Sequence, residues 1–266
     1  MRLFADPGTT LTSNIPDLPV VSVAGTGTSL AIYDLTISGV TNRVNVVDIA
    51  PASGSSSLEL HHVEIKDNRG LAISVGDGLL TMDRTTLARN ADGGLAVFST
   101  ARVVVTNSLV VNNGSPTSAY GGIWVSSDAT THNQISFTTV YRNFSVQGAS
   151  SGIACTGKQT EIVDSMFVSN GLVDTTSQAT GNCQFRDTLT YPGAPPAGQG
   201  NLGMDPELVD PAHGDFHPSC DSPAIGAAGP MVPLAGATAW DLDGRQRACG
   251  PAAIGALQPA APTQGP

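Results

Sequence analysis

One short pattern of apolar and polar positions repeats along most of this chain. If the first aliphatic residue of each unit is offset 0, a second apolar residue follows at offset +5. An asparagine follows at offset +8 in the last five of six units. Offset 0 holds Ile32, Leu60, Met82, Val105, Ile135 and Ile162. Offset +5 holds Ile37, Ile65, Leu87, Val110, Val140 and Phe167. The distance between units varies from 22 residues (60 to 82) to 30 residues (105 to 135) while the pattern inside each unit is kept.

A period of this length, built from several short runs, predicts a stacked solenoid. Gly, Asn, Ser and Thr interrupt any helical period, and the leucine-dense consensus of leucine-rich repeats is absent. A Gly-led apolar run such as Gly70–Ile73 or Gly122–Val125 usually follows the asparagine. We therefore predict an all-β fold, a single-stranded parallel β-helix of about seven coils over residues 1–190. An irregular extension over 191–258 and a disordered tail over 259–266 complete the predicted organisation.

The recurring asparagines have a physical reason at a tight turn between stacked strands. An inward amide can bond the turn backbone and the asparagine of the next coil. Asparagine also tolerates the left-handed backbone conformation that such a turn needs. We expect these side chains to form a buried structural ladder, and a row that binds a ligand is the alternative. The five residues are Asn68, Asn90, Asn113, Asn143 and Asn170.

Composition and charge narrow the classes of partner. Charged residues are only 13% of the chain, and the formal net charge is -10. Such a surface repels phosphate backbones, so nucleic-acid binding is disfavoured. No apolar run approaches the roughly 20 residues of a transmembrane helix, and no apolar signal segment follows Met1–Phe4. We expect a monomer with no cofactor and no metal, and Ca²⁺ only if the protein is a lyase.

The coils resemble the right-handed parallel β-helix repeats of the pectin-lyase-like superfamily. The C-terminal third resembles the ending of bacterial secreted proteins of the choice-of-anchor type, on Asp205-Pro206, Ser222-Pro-Ala224, Asp241–Arg247 and Ala253–Ala256. Gly226 and Ala253 depart from that pattern, which usually has Asp at both positions. The resemblance implies a secreted or surface-attached bacterial protein. Because such proteins begin with a signal peptide and further coils, we expect this chain to be a fragment of a larger surface protein.

The even number of cysteines predicts two disulfides and an oxidising compartment. Cys155 and Cys183 occupy consecutive coils, where stacking brings Cα atoms to about disulfide distance. Cys220 and Cys249 bracket the C-terminal segment and can tie it down. The alternative, a metal site, lacks any C-x-x-C pair or suitably spaced histidine.

Outward side chains at equal offsets form columns along a β-helix, and two neighbouring columns contain candidate acid–base groups. Offsets +1 and +2 place His61, His62, Asp83 and Arg84 on one predicted patch. A histidine beside a carboxylate can transfer protons, and an arginine can neutralise a uronate carboxylate. The alternative interpretation is a solvated polar face. A hydrolase would need a second nearby carboxylate.

Three other outward residues are candidates for ligand binding. Trp124 lies between two inward residues, so strand alternation points its indole outward, where it can stack on a sugar ring. Arg89 and Arg142 at offset +7 can hold an acidic sugar, although Asp67 is positioned to pair with Arg89.

These observations favour a non-catalytic surface or secreted β-helix that binds glycans or serves as a structural or adhesive stalk. The alternative is a polysaccharide lyase or glycoside hydrolase that acts on an acidic polysaccharide at the His61/Asp83/Arg84 patch. Whether the protein is an enzyme stays open at this point.

Overall fold

The computed structural model describes residues 1–50, 56–128, 133–146, 151–157, 160–171, 178–229, 240–247 and 252–259. The strands of this described part form three parallel sheets of eight, eight and seven strands and one antiparallel hairpin. It has no helix. The predicted all-β parallel solenoid of about seven coils with an irregular C-terminal region is therefore confirmed.

Each coil contributes one strand to each of the three sheets in turn. Sheet A contains β1 (Arg2–Phe4), β4 (Ser29–Tyr33), β7 (Ser57–His61), β10 (Leu79–Asp83), β13 (Arg102–Thr106), β16 (Asn133–Ser136), β19 (Thr160–Val163) and β22 (Gln184–Arg186). Sheet B contains β2 (Thr10–Leu11), β5 (Thr36–Ser38), β8 (Glu64–Lys66), β11 (Thr86–Ala88), β14 (Leu109–Val111), β17 (Thr139–Tyr141), β20 (Met166–Val168) and β23 (Leu189–Tyr191). Sheet C contains β3 (Val21–Val23), β6 (Val47–Ile49), β9 (Ile73–Val75), β12 (Leu95–Ser99), β15 (Ile123–Ser127), β18 (Ile153–Gly157) and β21 (Ala179–Gly181).

The offset 0 residues stack directly above one another inside the solenoid. Met82 pairs with Leu60 on one side and with Val105 on the other. All six are fully buried, as are the six at offset +5. This single continuous core stabilises every coil through its two neighbours, because burying an apolar side chain contributes about 1.5–3 kcal/mol.

The two turns that flank sheet B both use the left-handed backbone region. At offset +2 the residues with positive φ include His62 (55°) and Arg84 (47°), and at offset +7 they include Asp67 (58°) and Arg89 (54°). The ladder asparagines at offset +8 have no positive φ. The expectation that asparagine supplies the left-handed residue was wrong: the residue before it does so, and the asparagine follows the turn.

The outer face of sheet B changes character along the solenoid. In the first coils its outward positions are polar and partly exposed: Thr36, Ser38, Glu64, Lys66 and Thr86. From Ala88 onward the outward positions are mostly apolar and buried, among them Leu109, Val111, Tyr141, Met166, Val168 and Leu189. Apolar residues on both faces of a strand require cover on both sides.

That cover is the C-terminal strap, which we define as residues 202–229, 240–247 and 252–258. It contains the hairpin of β24 (Leu208–Asp210) and β25 (Asp215–Pro218). Phe216, Ala224, Ile254, Ala256 and Leu257 pack on the apolar half of the sheet B face to form a second core. Gly255 lies so close to the sheet that a Cβ there would come within 2.7 Å of Met166 and 2.8 Å of Thr139.

Candidate functional site

The five recurring asparagines form a continuous internal ladder. All are at most 3% exposed. The Asn68 side-chain amide donates to the Asn90 carbonyl oxygen at 2.9 Å, and the same bond joins each later pair as far as Asn170. Each amide also donates to a backbone carbonyl of the preceding coil, such as Ile65 O for Asn90. The ladder ends on Gln178. The amide groups of these asparagines are therefore used in hydrogen bonds inside the fold.

The four residues of the predicted catalytic patch lie in three different surroundings. His61 stacks on Tyr33 with ring centroids 4.8 Å apart, and Tyr33 stacks on Phe4. His62 Nδ1 lies 2.8 Å from a carboxylate oxygen of Asp34 in the preceding coil. Neither contact involves Asp83.

Asp83 is buried under the turn at 7% exposure. Its Oδ1 accepts hydrogen bonds from Thr106 Oγ1 and Asn107 Nδ2, both at 3.0 Å. Its Oδ2 lies 3.4 Å from Arg84 Nε. Asn107 in turn accepts a bond from Arg247 of the strap at 3.1 Å. Asp83 therefore stands at the start of a buried chain that holds the strap.

His62 and Arg84 instead line a cleft where the strap meets the uncovered half of sheet B. We call it the strap cleft. It has a volume of about 410 Å³. Its lining consists of His62, Val63, Glu64, Arg84, Thr86, Leu242, Asp243 and Arg245. The side chains of Arg84 and Arg245 are 37% and 46% exposed, so both are partly accessible to solvent.

The strap side of this cleft was missed by sequence reasoning. Asp243 and Arg245 belong to the Asp241–Arg247 segment, which the sequence marks only by its resemblance to a C-terminal motif. The structure explains that segment. Asp241 is fully buried, and its two carboxylate oxygens accept from the Arg245 and Gln258 amides at 2.7 and 3.0 Å. This turn presents Asp243 and Arg245 to the cleft.

Arg247 anchors the same turn to the solenoid. It is 1% exposed, and its guanidinium donates to the carbonyl oxygens of Gly255 and Ala256 and lies 4.2 Å from the Phe137 ring centroid. Burial lowers the pKa of Arg247 to about 10, although Asp241 and Asp164 act against that shift. At neutral pH the group therefore stays charged, and the cation–π contact is retained.

Asp164 is a second buried charge under the strap. Its Oδ1 accepts from the Gly229 amide at 2.8 Å. Burial raises the pKa of Asp164 to about 6, while the Gly229 hydrogen bond opposes the rise and the neighbouring Asp187 adds to it. This carboxyl therefore changes charge near neutral pH, beneath a segment that it helps to hold.

The three predicted ligand-binding residues lie away from the strap cleft lining. Trp124 is half-buried and makes an edge contact with Tyr120 at 5.5 Å, which in turn contacts Phe98. Arg89 makes a two-point ion pair with Asp67 at 2.6 and 2.9 Å. The hydrogen bond from Arg89 lowers the pKa of Asp67 despite the opposing effect of burial. Arg142 is exposed two coils further along the same column.

A second cleft of about 340 Å³ opens at the other end of the covered sheet B face. Tyr141, Val168 and Tyr191 contribute its floor, and Asp205 and Glu207 contribute carboxylates from the strap. None of the predicted catalytic or ligand-binding residues lines it, although Asp205 and Pro206 of the C-terminal motif do.

One of the two predicted disulfides is present. Cys155 and Cys183 are joined across consecutive coils with a Cα–Cα distance of 5.2 Å. Cys220 is exposed and forms no disulfide with any residue that the structure describes. Its predicted partner Cys249 lies outside the described residues, so the second disulfide stays a prediction.

The fold and the ladder define this protein as a parallel β-solenoid with a strapped outer face. Residues 20–188 match the family model for the right handed beta helix region. Because this match spans more than half of the chain, the protein belongs to that family, and the predicted right-handed β-helix is confirmed. No curated protein matches the chain. The resemblance of the C-terminal third to choice-of-anchor proteins stays a prediction.

Two features of the described residues bear on membrane and metal partners. No helix among them is long and apolar enough to cross a membrane. No group of three or more His, Cys, Asp or Glu side chains in this part of the chain is placed to hold a metal ion.

Proposed function

We propose that this protein is a secreted or cell-surface β-helix that binds a glycan containing acidic sugars in the strap cleft. Binding without catalysis is the activity proposed. The observation that carries the proposal is the shared exposure of Arg84 and Arg245 in one cleft, one from the solenoid and one from the strap.

The lining suits a sugar that bears both an acid and hydroxyl groups. A guanidinium group recognises a carboxylate or sulfate through two parallel hydrogen bonds. Glu64 and Asp243 on the same lining can accept hydrogen bonds from sugar hydroxyls. Leu242 and Val63 supply apolar contact for the carbon face of a ring.

The proposed compartment and the stalk role rest on the solenoid itself. The Cys155–Cys183 bond suits an oxidising environment outside the cytoplasm. The ladder and core repeat unchanged from coil to coil, which gives a rigid rod on which the cleft is displayed. In this proposal the rod is the stalk and the strap cleft is its binding surface.

The test is calorimetric titration of the full chain with a short oligoglucuronate, with a neutral oligosaccharide of equal length as the reference. Arg84 has positive φ, so Arg84→Asn removes the guanidinium while it retains a residue that tolerates this backbone. We expect Arg84→Asn and Arg245→Ala each to weaken binding of the acidic oligosaccharide at least tenfold.

Arg142→Asn is the matched control, because Arg142 is exposed and has nearly the same φ, 48° against 47° for Arg84. Unchanged affinity in this variant supports the strap cleft. Loss of binding in Arg142→Asn or Arg89→Asn, with none in Arg84→Asn, would move the site to the opposite edge of sheet B. Loss of binding in Trp124→Ala, with none in Arg84→Asn, would move the site to sheet C. If no acidic or neutral sugar binds, only the stalk role remains.

An enzymatic role at the same cleft is the second candidate, because carboxylates from the sheet and from the strap both line it. Incubation with the same oligoglucuronate distinguishes the two. An unsaturated product would identify a lyase, and shorter saturated products would identify a hydrolase. Intact oligosaccharide after prolonged incubation supports binding alone.

A further inference from the structure

His217 lies directly behind the strap cleft and contacts both of the charged strap residues that line it, Asp243 and Arg245. It belongs to β25, and its side chain is only 14% exposed. Nδ1 lies 2.6 Å from Asp215 Oδ1. Nε2 lies 3.1 Å from Asp243 Oδ2 and 2.8 Å from Arg245 Nη1.

These two contacts at Nε2 require different protonation states. Arginine can only donate, so the bond to Arg245 needs a bare Nε2 lone pair, as in neutral imidazole with its proton on Nδ1. A carboxylate can only accept, so the bond to Asp243 needs a proton on Nε2, as in imidazolium. One imidazole cannot satisfy both partners at once.

Asp215 fixes the other ring nitrogen in either state. Its carboxylate also accepts the His217 backbone amide at 3.1 Å. Burial acts to raise the pKa of Asp215, but the hydrogen bonds from His217 outweigh it and keep the pKa below its usual value. An ionised Asp215 therefore holds the proton on Nδ1 and leaves Nε2 as the only atom at which the ring changes.

We propose that His217 is a positioning residue that couples protonation to the availability of Arg245 in the strap cleft. Neutral His217 accepts from Arg245 and holds the guanidinium against the strap. Protonated His217 donates Nε2–H to Asp243 and releases Arg245 to an anion in the cleft. Binding of the acidic ligand then takes up one proton from solvent at Nε2. This inference rests on the proposed function.

The surrounding charges favour this exchange. Asp215 lies on the same strand, and Asp243 and Arg245 lie on the 240–247 turn. Across the cleft are His62, Glu64 and Arg84, and Arg84 approaches the turn so closely that a Cβ on Gly244 would lie 3.8 Å from its Nη1. Asp243 Oδ2 also lies 3.6 Å from Arg245 Nη2, so this carboxylate faces both the imidazole and the guanidinium. A hydrogen bond from protonated His217 to Asp243 would weaken the hold of Asp243 on Arg245.

The first experiment needs no ligand. Nitrogen-15 NMR of the full chain follows the histidine rings and arginine side chains through a pH titration. We expect neutral His217 to carry its proton on Nδ1, and the Arg245 side-chain signal to shift with the same midpoint as His217. The Arg142 signal should not follow that midpoint. A neutral His217 protonated on Nε2, or an Arg245 signal that ignores its titration, would overturn the proposal.

The second experiment measures affinity for the same oligoglucuronate against pH. Uptake of one proton gives an affinity gain of up to about tenfold per pH unit as the pH falls. His217→Gln can still accept from Arg245 but cannot protonate, so it should bind weakly and without that pH dependence. His62→Gln removes the other histidine on the cleft and should retain it.

The outcomes separate the two proposals. If Arg84→Asn abolishes binding but His217→Gln leaves the pH dependence unchanged, the cleft is the site and the coupling is wrong. If His62→Gln alone removes the pH dependence, His62 is the coupled group and the His217 proposal fails. If no oligosaccharide binds at any pH, the proposed function fails, and the NMR titration still decides whether His217 controls Arg245.

Discussion

The two halves of the outer face of sheet B have the same backbone and different surroundings. In the first coils the offset +4 position is Thr36, Glu64 or Thr86 and is partly exposed, whereas further along it is Leu109, Thr139 or Met166 and is buried under the strap. The inner face is alike in both halves. A solenoid can therefore keep one core along its length while its outer face differs from coil to coil. The strap cleft forms where the uncovered half meets the covered half.

The largest expected effect comes from removal of the strap anchor. Arg247→Ala leaves the buried Gly255 carbonyl oxygen without its donor, removes one of the two donors to the Ala256 carbonyl oxygen, and removes the contact with Phe137. Loss of one partner from a buried charged network costs about 3–5 kcal/mol. We expect hydrogen exchange to show the strap opening while the coils stay protected.

Arg245→Ala is the control for this change, since it lies in the same turn but is 46% exposed. Its hydrogen-exchange pattern should match the unaltered protein. Equal opening in both variants would mean that Arg247 is not the anchor.

A carboxylate placed at offset +4 should distinguish the two halves directly. Met166 is 1% exposed and covered by the strap, so Met166→Glu buries an unpaired charge or forces its protonation, at a cost of about 3 kcal/mol. Thr36→Glu adds the same group on the uncovered half and should change stability by less than about 0.5 kcal/mol. Urea unfolding of both variants gives the comparison, and equal losses would contradict it.

Asp164 predicts a pH dependence confined to the covered half. Its pKa of about 6 in the folded protein exceeds the ordinary value of 3.8, so folding favours the protonated form. Because folding raises the pKa of this acid, the protein has its full stability below about pH 4. It loses stability as the pH rises towards 6. The loss is up to about 3 kcal/mol and stays constant above that range.

Asp164→Asn keeps an acceptor for the Gly229 amide and cannot ionise. Urea midpoints measured from pH 4 to pH 7 should therefore fall in the unaltered protein and not in the variant. Asp17→Asn changes an exposed aspartate that also has positive φ (60°), and should leave the decline in place. A decline of equal size in Asp164→Asn would assign the effect to another group.

We expect the stability contributed by each ladder asparagine to be the same with and without the strap above it. Asn68 lies in a coil of the uncovered half and Asn143 in a coil of the covered half, and each donates both to a backbone carbonyl and to the next ladder asparagine. Asn68→Ala and Asn143→Ala should each cost about 2 kcal/mol through unpaired buried groups. Thermal unfolding of the two variants should give similar losses of stability. A twofold difference would show that the strap affects the stability of the interior.

The smallest expected effect is at the exposed edge of the same sheet. Arg89 and Asp67 are about half exposed, so solvent and salt screen their ion pair despite its two-point geometry. Arg89→Asn retains a residue suited to positive φ and should cost less than about 1 kcal/mol in urea unfolding. A larger loss that persists at high salt would give this pair a structural role.

The sequence by itself determined the solenoid. Its signals are local and repeated: an aliphatic residue at offset 0, another at +5 and an asparagine at +8 lie within one coil. Because adjacent coils stack in register, a pattern read in one unit fixes the neighbours of the next, and the core, the ladder and the Cys155–Cys183 bond follow from it. The same pattern also contains a signal for the strap, because the outward residues of sheet B are mostly apolar from Ala88 onward.

Only the tertiary structure decided which outward residues meet. Asp83 and Arg84 are adjacent in sequence, yet one is drawn under the turn by Asn107 and the other faces the strap cleft. The groups that complete the site come from far along the chain, as the bond between Asn107 and Arg247 spans 140 residues. Periodicity places side chains within a coil, but an irregular segment has no period, and its position depends on which surface it can bury.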